Sequence, residues 1–107
     1  MKLVDKVLAK RLEAYPLFSQ SGMGYGAKVL AKYVVPATDA VWLVYEGEQQ
    51  DNDDWVFSVY MTLDGEHWSY GVVMLSTLEG VADPYGRTVE RDVRFKPQSI
   101  RSCMRRG

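Results

Sequence analysis

Between Trp55 and Leu63 the chain alternates strictly, with Trp55, Phe57, Val59, Met61 and Leu63 set against Val56, Ser58, Tyr60 and Thr62. A period of two puts the first set on one face of an extended strand, so the segment can satisfy its backbone and its apolar side chains only inside a sheet. Asp64-Gly65 closes it with a strong turn pair, and Trp68 to Met74 follows as the next strand. A tight connection between consecutive strands makes their pairing antiparallel. Upstream, Ala27, Val29, Ala31, Tyr33 and Val35 alternate with a set containing Lys28 and Lys32. Pro36-Ala-Thr-Asp39 then reads as a turn, and Val41-Trp-Leu-Val-Tyr45 as a well-buried partner strand. A last strand is expected over Thr88 to Phe95, with Val89, Val93 and Phe95 on one face. Arg91 shares that face and must sit at its margin or find a carboxylate.

A sheet with one apolar face needs a cover. Leu3, Val4, Val7, Leu8, Leu12 and Tyr15 recur at spacings of three and four, which predicts an amphipathic helix ended by Pro16. Ser76-Thr-Leu-Glu79 has the capping-box pattern and predicts a short helix before the last strand. The expected fold is α+β: an N-terminal helix packed on a mainly antiparallel sheet of about five strands. With 107 residues, two cores would each be too small, so one domain is expected, its core over about 3–95 and a loosely ordered basic tail over 96–107.

The formal charge of −1 favours neither nucleic acid nor an anionic membrane. A single cysteine, Cys103, and an N-terminus without a secretory pattern predict the cytoplasm. Apolar runs such as Gly71 to Leu75 are far short of the ~20 residues that span a bilayer. Ser19 to Gly26 carries three alternating glycines, but a helix precedes it and a strand follows, the reverse of a dinucleotide loop. It reads as a plain flexible connection.

Pro36-Ala-Thr-Asp-Ala-Val-Trp-Leu43 with Glu46, Tyr70-Gly71, Leu75-Ser-Thr-Leu-Glu79, Gly86 and Val89-Glu-Arg-Asp92 with Phe95 stand in an order and spacing that resembles the domain of unknown function family 2958. The resemblance runs from about Lys28 to Phe95 and implies a small protein of plasmids, phages and other mobile elements. It brings no established activity. His67-Trp-Ser-Tyr70 departs from the acidic, glycine-containing stretch common at that place in the family, and the N-terminal helix and Arg-rich tail lie outside the resembling block.

No catalytic set can be assembled around His67, the one histidine, which reads as an exposed turn residue. Glu90 and Asp92 share a strand face, and Glu46 could join them from a neighbouring strand as ligands of a divalent cation, the core of an alternative reading as a metal-assisted enzyme acting on phosphate esters or nucleotides. The plainer reading is a solvated face paired with arginines and lysines. Glu46, Glu48, Asp51, Asp53 and Asp54 cluster in one polar stretch without an intervening base, an electrostatic handle for a basic protein surface. Lys96, Arg101, Arg105 and Arg106 form a basic tail, but no aromatic single-strand platform is evident beside it, so nucleic acid is not the expected partner. Exposed aromatics such as Trp68 and Tyr70 would serve as interface anchors. The sequence therefore predicts a non-enzymatic interaction protein of a mobile element, without cofactor, acting in a bacterial cytoplasm on a host or element-encoded protein. Inhibition of a defence system, as by an anti-CRISPR protein, fits that description.

Overall fold

The computed structural model describes residues 2–105. Asp5 starts the first helix, α1 (Lys6–Glu13), by accepting the Leu8 N–H on its side chain at 2.8 Å, and Lys10 and Arg11 complement the helix end. Leu8 and Leu12 bury against the sheet, as do Leu3 and Val4 from the segment ahead of the helix. Val7 does not. It is 67% exposed, because it lies one residue, about 100° of helix rotation, from the buried row of Leu8 and Leu12.

Five antiparallel strands form the sheet in the order β5-β4-β3-β2-β6, where β2 is Ala31–Val34, β3 Val41–Gln49, β4 Trp55–Thr62, β5 Trp68–Met74 and β6 Glu90–Arg91. A helical turn, α2 (Leu75–Glu79), follows β5 and buries Leu78. The α+β class and the five-strand count predicted from periodicity hold. Leu63, expected as the last inward residue of β4, is 66% exposed, since the strand stops at Thr62 and a five-residue connection leads to β5. Asp64 organises that connection by accepting the Glu66 and His67 N–H groups, and Gly65 supplies its left-handed residue at φ 80°.

Both faces of the central strands are buried, in two separate clusters. Trp42, Val44, Phe57 and Val59 face α1; Leu43 and Tyr60 face a second layer with Ala27, Val29 and Ile100. The second layer is a small antiparallel pair, β1 (Lys28–Val29) with β7 (Gln98–Ser99), followed by α3 (Ile100–Arg105). Here the sequence reading needs two corrections. The expected strand 27–35 is broken at Leu30, whose N–H donates to Val44 O at 2.7 Å, so Ala27 and Val29 enter one core while Ala31, Tyr33 and Val35 enter the other. The basic tail is not loose either: Gln98 and Ser99 pair with β1, and Ile100 is fully buried. A few apolar residues, Ile100, Cys103 and Met104, within a polar, basic stretch carry too little pattern to announce a packed element. Of the tail cations, Arg106 lies outside the described residues.

The expected last strand is likewise shorter. Only Glu90 and Arg91 pair, with Val34 and Tyr33. The chain then turns off the sheet at Asp92, which leaves Val93 exposed and sends Val89 and Phe95 to different cores. Arg91 finds the carboxylate its position demanded: Nη2 donates to Asp5 Oδ2 at 2.8 Å. This contact, with the Leu8 N–H, holds the Asp5 carboxyl well below the usual carboxylate range. A carboxyl depressed by folding stabilises the native state above the unfolded value of about 3.9 and loses that contribution as pH falls through the folded value. Stability should therefore decline below about pH 4 less steeply in Asp5→Asn than in the wild type, as read from urea midpoints against pH.

Gly47 on β3 leaves room for the Phe57 ring and the Leu12 side chain. A Cβ there would lie 2.9 Å from the Phe57 ring and 3.2 Å from Leu12. Gly47→Ala should cost about 1–3 kcal/mol through overpacking, measurable by chemical denaturation.

Candidate functional site

The segment between α1 and β1 is pinned to the sheet by two buried polar side chains. Glu46, 3% exposed, accepts the N–H of Phe18 at 3.0 Å and of Gln20 at 2.7 Å. Gln20, also buried, uses its amide as a surrogate peptide: Nε2 donates to Lys28 O and Tyr45 O, and Oε1 accepts the Lys28 N–H. Among the described residues no buried side-chain polar atom lacks a partner. The flexible connection read from the glycines is thus a hydrogen-bonded strap.

The strap displays Phe18. Its φ is 71°, a left-handed conformation that costs a bulky residue about 1–2 kcal/mol, and its side chain is 79% exposed. A strained aromatic held out into water by a buried carboxylate contributes nothing to the core.

Phe18 stands at one wall of an open groove of about 640 Å³ whose other wall carries Tyr45, Tyr70 and Val72. Tyr45 and Tyr70 meet edge to face at 6.1 Å, Tyr70 lies 4.7 Å from Tyr60, and Tyr60 stacks on Trp68 at 5.3 Å. Tyr25, from a 3-10 turn at Gly24–Gly26, adds an edge contact to Tyr60 at 5.7 Å. The Tyr60 hydroxyl is pushed up to about 12, first by its hydrogen bond with Tyr25 and then by burial, and burial pushes Tyr45 and Tyr70 up as well. Tyr25 and Tyr70 are half exposed and Val72 is 70% exposed.

The groove runs beside β5, the edge of the sheet. Its sequence, Trp-Ser-Tyr-Gly-Val-Val-Met, contains no charge and no proline. Sheet edges are ordinarily blunted by lysine, proline or a bulge, because their unpaired backbone groups template pairing with another chain. This one has no such residue in its seven positions.

The predicted site residues separate into three groups. Trp68 and Tyr70 lie together on the aromatic face. Glu48, Asp51 and Asp53 are exposed around the β3-β4 hairpin, Asp53 in the left-handed region at φ 68° that aspartate tolerates. Glu46 and Asp54 are not available as handles, which corrects the acidic cluster as read from sequence. Glu46 is buried beneath the strap. Asp54 accepts both the N–H and the hydroxyl of Ser76, at 3.0 and 2.6 Å, and so holds the start of α2 from outside the helix. These bonds hold the Asp54 carboxyl below its ordinary value. The expected capping box is absent for that reason: Ser76 lies inside the helix and bonds to Asp54 instead. Glu46 also stands apart from Glu90 and Asp92, and no group of three or more potential metal ligands occurs among the described residues, so the alternative carboxylate site is not assembled. His67 is exposed, with Nδ1 2.5 Å from Asp64.

A family model described as a protein of unknown function (DUF2958) matches residues 3–104. The match takes in α1 and most of the C-terminal layer, both outside the block that resembles the family by motif alone. No curated protein and no solved structure matches.

Proposed function

The chain belongs to the DUF2958 family, and from that membership and the face described above we propose that it is a non-enzymatic interaction protein that docks a protein partner along the free edge of β5. The observation that carries this reading is the coincidence of an uncharged edge strand with Phe18, Tyr25, Tyr70 and Val72 exposed beside it. An edge supplies main-chain hydrogen bonds and the flanking aromatics supply specificity, the usual division in strand addition. Glu48, Asp51 and Asp53 steer the approach of a basic partner surface. The setting that fits is the cytoplasm of a bacterial host carrying a phage or plasmid, with a host or element-encoded protein as the target and inhibition of a defence system as the consequence. None of the described helices is long and apolar enough to cross a membrane.

Affinity capture from host lysate tests this with a matched variant, Phe18→Gly with Tyr70→Ser. Glycine accepts the Phe18 backbone conformation without strain, and Tyr70→Ser removes only the surface ring contacts with Tyr45 and Tyr60, so the variant should stay folded, with a melting temperature lowered by no more than about 10 °C. The wild type should retain a protein with a basic surface, and the variant should lose it. Equal retention by both would remove the aromatic edge as the docking face.

A further inference from the structure

At the opposite end of the same sheet face, the C-terminal layer and the sheet enclose a second cavity, of about 740 Å³. Val41 and Leu43 contribute to its apolar lining, Trp68 and Phe95 supply planar rings, and Lys32, Arg94 and Lys96 supply charge. One carboxylate, Asp92, also lines it, and its Oδ1 accepts the Arg94 N–H at 3.0 Å. The volume lies within the ~300–1,000 Å³ of small-molecule sites.

The three cations come from two places, Lys32 from β2 and Arg94 and Lys96 from the segment after β6, and line one space. The ion pairs of the described residues are Asp64 with His67, Asp83 with Arg87 and Asp5 with Arg91, and none engages these three. Three cations against one carboxylate favour an anion, and guanidinium and ammonium groups together are suited to phosphate oxygens. The rings alongside suit a flat apolar group, which stacks on an aromatic without regard to its substituents.

We propose that this cavity binds a nucleotide, with its phosphate on Lys32, Arg94 and Lys96 and its base against Trp68 and Phe95. The same chemistry can reach the site as a free mononucleotide or as a unit of a single strand. This goes beyond the docking role of β5, since the cavity excludes Phe18, Tyr70 and Val72.

Cys103 lines the cavity and is the protein's single cysteine, which provides a readout confined to the site. The experiment follows the reaction of Cys103 with methyl methanethiosulfonate, and in parallel calorimetric titration, using AMP, a short single-stranded oligonucleotide and inorganic phosphate. AMP should slow thiol modification about fivefold or more at saturation and bind with a Kd below about 1 mM. Arg94→Gln with Lys96→Gln, both at exposed positions, should weaken binding about tenfold or more while leaving the melting temperature unchanged. Protection by the oligonucleotide without protection by AMP would assign the strand as the source. The proposal is overturned if neither protects Cys103, if inorganic phosphate binds as well as AMP, or if the double variant binds as tightly as the wild type. Because the Phe18→Gly, Tyr70→Ser variant leaves this cavity intact, failure here and failure of partner capture are distinguishable.

Discussion

Ile100→Ala is expected to destabilise the protein by about 3 kcal/mol, the range for removing a buried Ile side chain. Ile100 is fully buried, its N–H donates to Ala27 O at 3.0 Å, and it packs in the second core with Val29, Leu43 and Tyr60. In a domain of this size that loss corresponds to a fall of roughly 12–20 °C in melting temperature. A terminal residue in a solvated tail would shift neither the urea midpoint nor the melting temperature. The substitution therefore separates a structural C-terminal layer from an appended tail. It also bears on function, since this layer forms one wall of the cationic cavity.

Glu46→Ala should cost a comparable amount, about 2–4 kcal/mol, because two N–H groups, those of Phe18 and Gln20, lose their acceptor at once and Gln20 is buried. Glu46→Gln is the sharper variant. It preserves volume but replaces one acceptor oxygen by an NH₂ that faces a donor, so it should recover little of the loss. Denaturant unfolding of the three proteins checks the order: wild type most stable, with the glutamine and alanine variants grouped well below. A glutamine variant as stable as the wild type would mean that the carboxylate serves shape alone.

The central sheet was legible because each strand carries its own period: the alternation over 55–62 and the apolar run over 41–45 need no knowledge of the rest of the chain. The layer behind it was not. Its contributions come one residue at a time, Val29 and Ile100 from opposite ends of the sequence, and a core assembled across about seventy residues leaves no local period. The same limit hid the site. Trp68 and Tyr70 were visible as aromatics in a strand, but Phe18 and Tyr25 sit among glycines and serines, where nothing marks which side chain the backbone will display. Glu46 illustrates the reverse error. By composition it belongs to the acidic stretch, yet it lies on β3 before the hairpin and turns inward, where two N–H groups are aimed at it. Asp54 escapes a local reading for a related reason: the capping-box pattern lies within 76–79, and the carboxylate that accepts the Ser76 N–H comes from 22 residues upstream.

The division of labour on the docking face, with acids steering and aromatics holding, is open to one direct kinetic measurement. Stopped-flow association with the captured partner at two ionic strengths would compare the wild type with Asp51→Asn, Asp53→Asn and with Tyr70→Ser. Asp54 is left in place because it holds α2. The double asparagine variant should associate more slowly and with a shallower salt dependence at an unchanged dissociation rate, and Tyr70→Ser should dissociate faster at a nearly unchanged association rate. Dissociation from Tyr70→Ser at the wild-type rate would contradict the claim that the partner sits on the aromatic edge of β5.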